Sequence, residues 1–321
     1  MSPSKRSMER ILITGATGQI GSELTGALRE RYGKDNVVAA GHRGNSGGEL
    51  EDPFERIEVL DEGSIARVIE RYEIDSLFHL AAILSARGEE NPQLAFEVNL
   101  IGSYKVLELG LEYDLRRILI PSSIGVFGPE TPKENTPNET VLRPTSIYGV
   151  TKVAAELLGD YYFRRFGLDV RGLRLPGIVS HKTLPGGGTT DYAVEAFYGA
   201  LQEGHYDFFV REDTVLPMMY MPDCIRALIE LAEADLERLD HHSDFNVSGA
   251  SFSAGQLARE IGKHVDDFTY RFQPDERQRI ADSWPNSLDD TAAGEEWGWE
   301  ARYGLEEMAA DMIEKLRLKI S

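Results

Sequence analysis

Tyr148 and Lys152 stand four residues apart in the run Tyr-Gly-Val-Thr-Lys. That spacing puts both side chains on one face of a helix. A lysine beside a tyrosine favours phenolate over phenol, because a nearby positive charge lowers the phenol's pKa. Such a tyrosine can serve as general base toward a substrate hydroxyl. Ser122 and Ser123 close the segment that reads as the preceding strand. Open α/β sheets carry their ligands at that carboxyl edge, where a serine hydroxyl can hold the same substrate oxygen.

A second group of residues offers the chemistry this base would need. Gly15-Ala16-Thr17-Gly18-Gln19-Ile20-Gly21 has the spacing G-x-x-G-x-x-G, after an apolar strand and at the opening of a helix. Glycines there let the backbone turn sharply and approach a pyrophosphate at the positive helix N-terminus. An acidic residue about 20 positions further on holds the ribose hydroxyls in many NAD sites. Here that stretch reads Gly41-His42-Arg43. A small residue beside Arg43 would admit a 2′-phosphate, so NADP stays open alongside NAD; alternatively Arg43 stacks on the adenine. Glu58 and Val59, read as the end of the third strand, meet the adenine edge. Leu80-Ala81-Ala82 ends the fourth strand, and its small residues let the cofactor pass close to the backbone.

The elements that must position these groups alternate. Strands are expected at 11–14, 37–40, 56–59, 76–81, 117–122 and 170–175. Helices are expected at 21–32, 64–72 with Ser64 as N-cap, 92–113 as one long helix, and 146–166. This alternation implies an α/β fold, a doubly wound parallel sheet of Rossmann type. After Pro176 the pattern changes. A glycine-rich loop (180–191) is followed by helices at 192–203 and 223–239, short strands near Phe209 and Phe245, and a tail anchored by Trp284, Trp297 and Trp299. The expected organisation is a flexible stretch 1–9 and a dinucleotide-binding domain 10–176, to which 223–247 returns. Residues 177–222 and 248–321 form a smaller substrate lobe.

Composition excludes several other classes. Lys+Arg is 34 against Asp+Glu 54 in 321 residues, a formal net charge of -20. Such a surface repels phosphate backbones and argues against nucleic-acid partners. Acid excess with scarce lysine would suit a salt-rich cytoplasm, and equally an ordinary acidic enzyme. No apolar run reaches membrane-spanning length, and no leader-like stretch precedes Ile11, which together predict a cytoplasmic protein without membrane contact. One cysteine, Cys224, excludes an internal disulfide and a multi-cysteine zinc site. No metal is expected: His79 reads as a core residue, and His241-His242 have no third ligand at helpful spacing.

The glycine motif, Leu80-Ala81-Ala82, Asn99, Ser122-Ser123 and Tyr148 with Lys152 together resemble the extended short-chain dehydrogenase/reductase superfamily, over about residues 10–176. The segments 121–129, 174–180, 185–198, 216–223 and 281–285 resemble more particularly the short-chain type of L-threonine 3-dehydrogenase. Pro176-Gly177 stands where sugar-nucleotide enzymes of the superfamily usually carry an asparagine-containing motif. The resemblance implies oxidation of the C3 hydroxyl of L-threonine by NAD in a homodimer. It makes Tyr148 the base, sets Lys152 to orient the cofactor ribose, and has Ser123 bind the substrate hydroxyl. It also places Asn99, Pro176 and Ile178 along the cofactor. A small zwitterion suits the loop 186–190, whose backbone N–H groups, at Gly188 among them, and whose Thr189 and Thr190 hydroxyls can hold a carboxylate. Ser85 and Ser122 are expected to reach the same substrate. Asp191 either meets its ammonium group or caps the following helix, and Trp284 is either core or lid. Two other readings compete. One is a nucleotide-sugar epimerase or dehydratase, for which Arg271, Arg277 and Arg279 would supply charge. The other is a non-catalytic NAD(P) sensor, which has no need of Ser123, Tyr148 and Lys152.

Overall fold

The structure is a computed structural model that describes residues 8–42 and 50–320. Its centre is a six-stranded sheet in the order β3-β2-β1-β4-β5-β7. These strands are β1 (Ile11–Thr14), β2 (Val37–Gly41), β3 (Phe54–Arg56), β4 (Ser76–His79), β5 (Arg117–Leu119) and β7 (Val170–Arg171). Every pairing is parallel, with Ile11 opposite both Val37 and Ser76. Every residue of β1, β2 and β4 is buried, as a sheet covered on both faces requires. The doubly wound sheet expected from the sequence is therefore present.

Helices α1 (Gln19–Tyr32), α2 (Glu62–Tyr72), α3 (Ser85–Glu90), α4 (Pro92–Phe96), α5 (Gly102–Glu112) and α6 (Ile147–Phe166) wrap the sheet. The sheet edge continues in three short strands, β6 (Ser122–Ser123), β8 (Leu173–Leu175) and β12 (Phe245–Asn246), paired in the order β12-β8-β6. Helix α8 (Met221–Glu233) lays Ile225, Leu228 and Leu231 against Leu24 and Leu28 of α1 in one apolar cluster. Through α8 and β12, residues 221–246 pack with the dinucleotide half.

The remaining elements form the smaller lobe. Strands β9 (Gly177–Val179), β11 (Val215–Tyr220) and β13 (Ala250–Ser253) make one sheet, and β10 (His205–Phe208) pairs with β14 (Thr269–Phe272). Helices α7 (Tyr192–Gln202), α9 (Ala254–Gly262), α10 (Arg277–Ala281) and α12 (Leu305–Ile320) surround them. Trp284 is buried in this lobe's core, while Trp299 belongs to the other cluster, beside α11 (Thr291–Trp297).

Several local readings of the sequence are corrected. The third strand ends at Arg56, so Glu58 and Val59 lie in the turn beyond it. Ser64 is not the cap of α2. Asp61 precedes that helix, and the Ser64 hydroxyl instead accepts from Glu58 N–H at 3.1 Å and donates to the Asp61 carbonyl at 2.7 Å. The long helix 92–113 is interrupted by a π-turn at Glu97–Ile101, which turns Asn99 inward. The expected flexible stretch does not extend to residue 9. Met8 is buried, and Glu9 N–H donates to the Asp75 carboxylate. Arg43 lies outside the described residues.

Candidate active site

The glycine loop joins β1 to α1. Gly15 has φ +70, and a Cβ there would meet Ala81 N at 2.7 Å. Only glycine tolerates that combination of backbone conformation and close approach. A Cβ on Gly21 would collide with the Gly15 carbonyl and Ala16 Cα, so glycine lets α1 start tightly against the loop. Gly18 caps α1 without a side chain, and its first turn leaves N–H groups free. The Gln19 amide nitrogen is buried and finds no protein partner among the described residues. A cradle shaped by glycine at a helix start, with an unpaired buried donor, fits a pyrophosphate.

At the adenosine end, Gly41 is the last residue of β2. His42 Nδ1 pairs with Glu58 Oε1 at 2.5 Å, and Arg56 Nε donates to the His42 carbonyl at 3.2 Å. A carboxylate thus stands close to the position where the sequence lacks one. Val59 packs at the start of α5, 3.5 Å from where a Cβ on Gly102 would be. Asn99, placed along the cofactor by the sequence reading, is otherwise engaged. Its amide accepts from Ile83 N–H at 2.8 Å and donates to the Ile83 carbonyl at 2.9 Å. It thereby fixes the chain just past Leu80-Ala81-Ala82.

Tyr148 is held by three local features. The Ser146 hydroxyl accepts from Gly149 N–H at 3.1 Å and so caps α6. A Cβ on Gly149 would strike the Gly125 carbonyl, and one on Gly125 would sit 2.9 Å from the Tyr148 ring. The two glycines seat the ring against the turn Ile124–Val126. Ser123 caps that turn, its hydroxyl accepting from Gly125 N–H at 3.1 Å, and it hydrogen-bonds Tyr148. Tyr148 is 8% exposed and Lys152 9%.

The electrostatics differ from the expectation that the lysine lowers the tyrosine pKa. Burial pushes the Tyr148 phenol up, and the Ser123 hydrogen bond pulls against that. Lys152 Nζ lies 5.7 Å from the Tyr148 ring centroid and donates to the Pro121 carbonyl at 2.7 Å. Burial brings its pKa down to about 8, against the pull of Glu156. Desolvation outweighs the ion pairing here.

Ser122 is turned away from a substrate role. Its hydroxyl donates to Glu156, which also binds Arg174 through two contacts of 3.0 and 2.9 Å. Ser123 and Ser122 point to opposite sides because neighbouring strand residues alternate.

Across the cleft, Ser85 Oγ and Thr189 Oγ1 are 3.0 Å apart. Ser85 begins α3, which abuts the Tyr148 turn: a Cβ on Gly88 would lie 3.9 Å from Tyr148 Cβ. A Cβ on Gly177 would lie 2.8 Å from Thr190 Cβ, so glycine in β9, between Pro176 and Ile178, lets Thr190 approach. Asp191 neither caps α7 nor stands free. Its Oδ2 accepts from Gly187 N–H at 2.9 Å and Gly188 N–H at 2.7 Å. Two of the N–H groups expected to hold a substrate carboxylate, those of Gly187 and Gly188, are thus taken by this chain's own. Burial raises Asp191 to about 6, opposed by those two bonds.

His79 is buried, bonds Thr14 Oγ1 at 2.8 Å, and stays neutral, its pKa lowered by burial to about 3. His241 does meet other potential ligand groups in the fold. Its ring, Glu139 and Asp244 have donor atoms within 4.8 Å of one another, while its Nδ1 pairs with Glu296 at 2.5 Å.

Comparison with known proteins gives a consistent result. The model of the NAD dependent epimerase/dehydratase family matches residues 11–248. An uncharacterized epimerase/dehydratase of Staphylococcus saprophyticus is 45% identical over 315 residues, 97% of this chain and 98% of that one. The L-threonine dehydrogenase of Clostridium difficile superposes with a TM-score of 0.94 at 45% identity, covering 98% of this chain and 99% of that one. A monomeric L-threonine 3-dehydrogenase from a metagenome gives 0.94 at 46%, covering 97% and 100%.

Proposed function

Since this chain belongs to the NAD dependent epimerase/dehydratase family, as a nicotinamide-dependent oxidoreductase, we propose that it is an L-threonine 3-dehydrogenase. The reaction is oxidation of the C3 hydroxyl of L-threonine to 2-amino-3-oxobutanoate, with hydride passing to NAD. The observation that carries the reading is the hydrogen bond between Ser85, on the helix that abuts Tyr148, and Thr189 of the glycine-rich loop. It draws that loop toward the helix beside the base, and the full-length likeness to threonine dehydrogenases supports the reading. The nucleotide-sugar alternative is weaker. Arg277 is held by Asp275 at 2.5 Å and lies over the Phe209 ring, so it is not free for a diphosphate.

In this mechanism Ser123 and Tyr148 hold the C3 oxygen, and Tyr148 Oη takes its proton. The bound nicotinamide supplies the hydride acceptor. Lys152 keeps a positive charge near the ring and is placed to orient the ribose. Gly15, Gly18, Gln19, Ile20 and Gly21 would hold the pyrophosphate. NAD rather than NADP is supported by Glu58, whose carboxylate beside His42 would repel a 2′-phosphate.

Purified protein should reduce NAD with L-threonine, followed spectrophotometrically, with NADP in parallel. No reduction with L-threonine would refute the substrate. A preference for NADP of tenfold or more, about 1.4 kcal/mol, would refute the cofactor. A homodimer is also proposed, through α5 and α6. Val150, Leu157 and Tyr161 form an exposed stripe on α6, and Tyr104 of α5 is exposed as well. Light scattering after gel filtration tests it, the alternative being a monomer like the metagenomic relative. Among the described residues no helix is long and apolar enough to cross a membrane.

A further inference from the structure

The glycine loop offers a dinucleotide's diphosphate hydrogen-bond donors but no cation of its own. Residues 11–28 carry neither Lys nor Arg, and the basic residues of α1, Arg29 and Arg31, stand in its last turn. The N–H groups of the first turn and the unpaired Gln19 amide are neutral donors. The chain as a whole has a formal net charge of -20, which opposes an anionic ligand.

The substrate lobe brings a cation to this place. Just past β9, residues 180–183 lie across the opening of α1. The Ser180 hydroxyl donates to Glu23 Oε1 at 2.6 Å, and Lys182 Nζ pairs with Glu23 Oε2 at 3.2 Å. Ser22 Oγ is 3.4 Å from Thr183 Oγ1. The backbone of the segment is fixed from its far side. Lys319 Nζ of α12 donates to the His181 and Lys182 carbonyls at 3.2 and 2.7 Å, and the Tyr198 hydroxyl donates to the His181 carbonyl at 2.8 Å. The head of Lys182 is freer. Its side chain is 59% exposed, whereas that of Glu23 is 10% exposed.

Glu23 stands four residues after Gln19, so the two side chains are neighbours on one face of α1. Helical side chains lean toward the N-terminus, which brings the Glu23 carboxylate, and the ammonium paired with it, toward the glycine loop. We propose that Lys182 is a pyrophosphate-binding residue, whose ammonium turns from Glu23 to the cofactor diphosphate and completes the anion site. An exposed ion pair such as Lys182–Glu23 contributes little, so giving it up costs little, while an ammonium–phosphate hydrogen bond is among the stronger kinds. The same segment runs into the 186–190 loop, so the contact ties bound cofactor to the loop that carries Thr189 and Thr190. The inference rests on the glycine loop holding the pyrophosphate of a nicotinamide dinucleotide.

The test is binding without turnover, by calorimetric titration of purified protein with ADP-ribose, which carries the diphosphate, and with adenosine, which does not. Lys182→Met should weaken ADP-ribose about tenfold and leave adenosine within about twofold. Its affinity for ADP-ribose should also fall less steeply with added salt. Lys182→Arg keeps the charge and should stay within about threefold of wild type. Glu23→Gln keeps an acceptor for Ser180 and frees the ammonium, so ADP-ribose should bind about threefold tighter. The double variant should remain at least about fivefold weaker than Glu23→Gln alone. If Lys182→Met stays within about twofold of wild type, the ammonium does not reach the diphosphate and the proposal is wrong. If Glu23→Gln weakens ADP-ribose as Lys182→Met does, the pair only staples residues 180–183 to α1, which overturns it as well. Equal affinity of the double variant and Glu23→Gln would show that Lys182 merely screens Glu23, a third refutation. Failure of the cofactor reading itself would look different, since wild-type protein would then bind neither ADP-ribose nor NADH.

Discussion

Asp191 gives the sharpest prediction, because its effects on stability and on binding have opposite signs. Its carboxyl is raised from 3.8 to about 6 by burial. A raised acid pKa means the folded state prefers the protonated form. The stability this group contributes is fully present below pH 3.8 and is lost as pH rises through about 6. A shift of roughly two units, at about 1.4 kcal/mol each, puts the penalty of the buried charge near 3 kcal/mol at neutral pH. Asn in its place removes the charge and keeps an oxygen to accept from Gly187 and Gly188. Each of those bonds weakens, because a neutral acceptor replaces a charged one, but the raised pKa already includes that difference. The net for Asp191→Asn is therefore a gain of up to about 3 kcal/mol at pH 7, an increase in Tm of roughly 5 °C. The gain should shrink toward zero near pH 4, where wild-type Asp191 is itself protonated.

Binding should move the other way. The two weakened bonds are what hold the 186–190 loop in the shape that sets Thr189 against Ser85. A looser loop raises the KM for L-threonine by about tenfold, roughly 1.4 kcal/mol, with kcat and the KM for NAD little changed. The assays are thermal denaturation across pH 4–8 and steady-state kinetics at pH 8. A lower Tm at pH 7 would show that the carboxylate stabilises the fold, contrary to the burial argument. An unchanged KM would show that the loop's shape does not depend on Asp191.

Tyr148→Phe keeps the ring against Gly125 and removes the ionisable oxygen; kcat should fall about 10²–10⁴-fold with cofactor affinity nearly intact, and retention of half the wild-type turnover would refute the base assignment. Gly21→Ala drives a methyl into the Gly15 carbonyl, so NAD affinity measured by fluorescence titration should drop at least tenfold, about 1.4 kcal/mol; equal affinity would mean the loop does not carry the pyrophosphate. Gly41→Asp sets a second carboxylate beside Glu58, and the ratio of kcat/KM for NAD over NADP should rise. No change in that ratio would place residue 41 away from the ribose. Below about pH 8 Lys152 is charged, so kcat/KM should depend on pH in that region, and replacement by Met should abolish that step in the profile.

The nucleotide half was legible because its signals are local. Gly15, Gly18 and Gly21 lie within seven residues; Gly15 has a positive φ, and a Cβ on Gly18 or Gly21 would press on the Gly15 carbonyl of the same short stretch. Tyr148 and Lys152 likewise share one helix, so their spacing already places them on a common face. The β1, β2 and β4 segments are buried throughout because both faces are covered, and their largely apolar composition displays this directly. What misled was desolvation. A lysine four residues from a tyrosine reads as an electrostatic partner, yet burial moves both pKa values away from the ion-paired pattern. Spacing in a sequence conveys proximity and says little about how much water surrounds the pair.

The substrate half was less legible because its contacts join distant segments. Ser85 meets Thr189 across 104 residues, and Ser122 meets Glu156 across 34. Either serine, read alone at a strand end, looks equally able to touch a substrate. The fold separates them: one faces the glycine loop beside Tyr148, the other faces Arg174 in the interior. Asp191 shows the same limit within five residues. A carboxylate before a helix is most simply a cap, but the Gly187 and Gly188 N–H groups upstream take it instead. The Gly187 and Gly188 N–H groups are therefore engaged within the chain and shape the loop that carries the Thr189 and Thr190 hydroxyls. A site built that way recognises a small substrate through side chains held by their neighbours, which is why altering a residue that touches no substrate should change the KM.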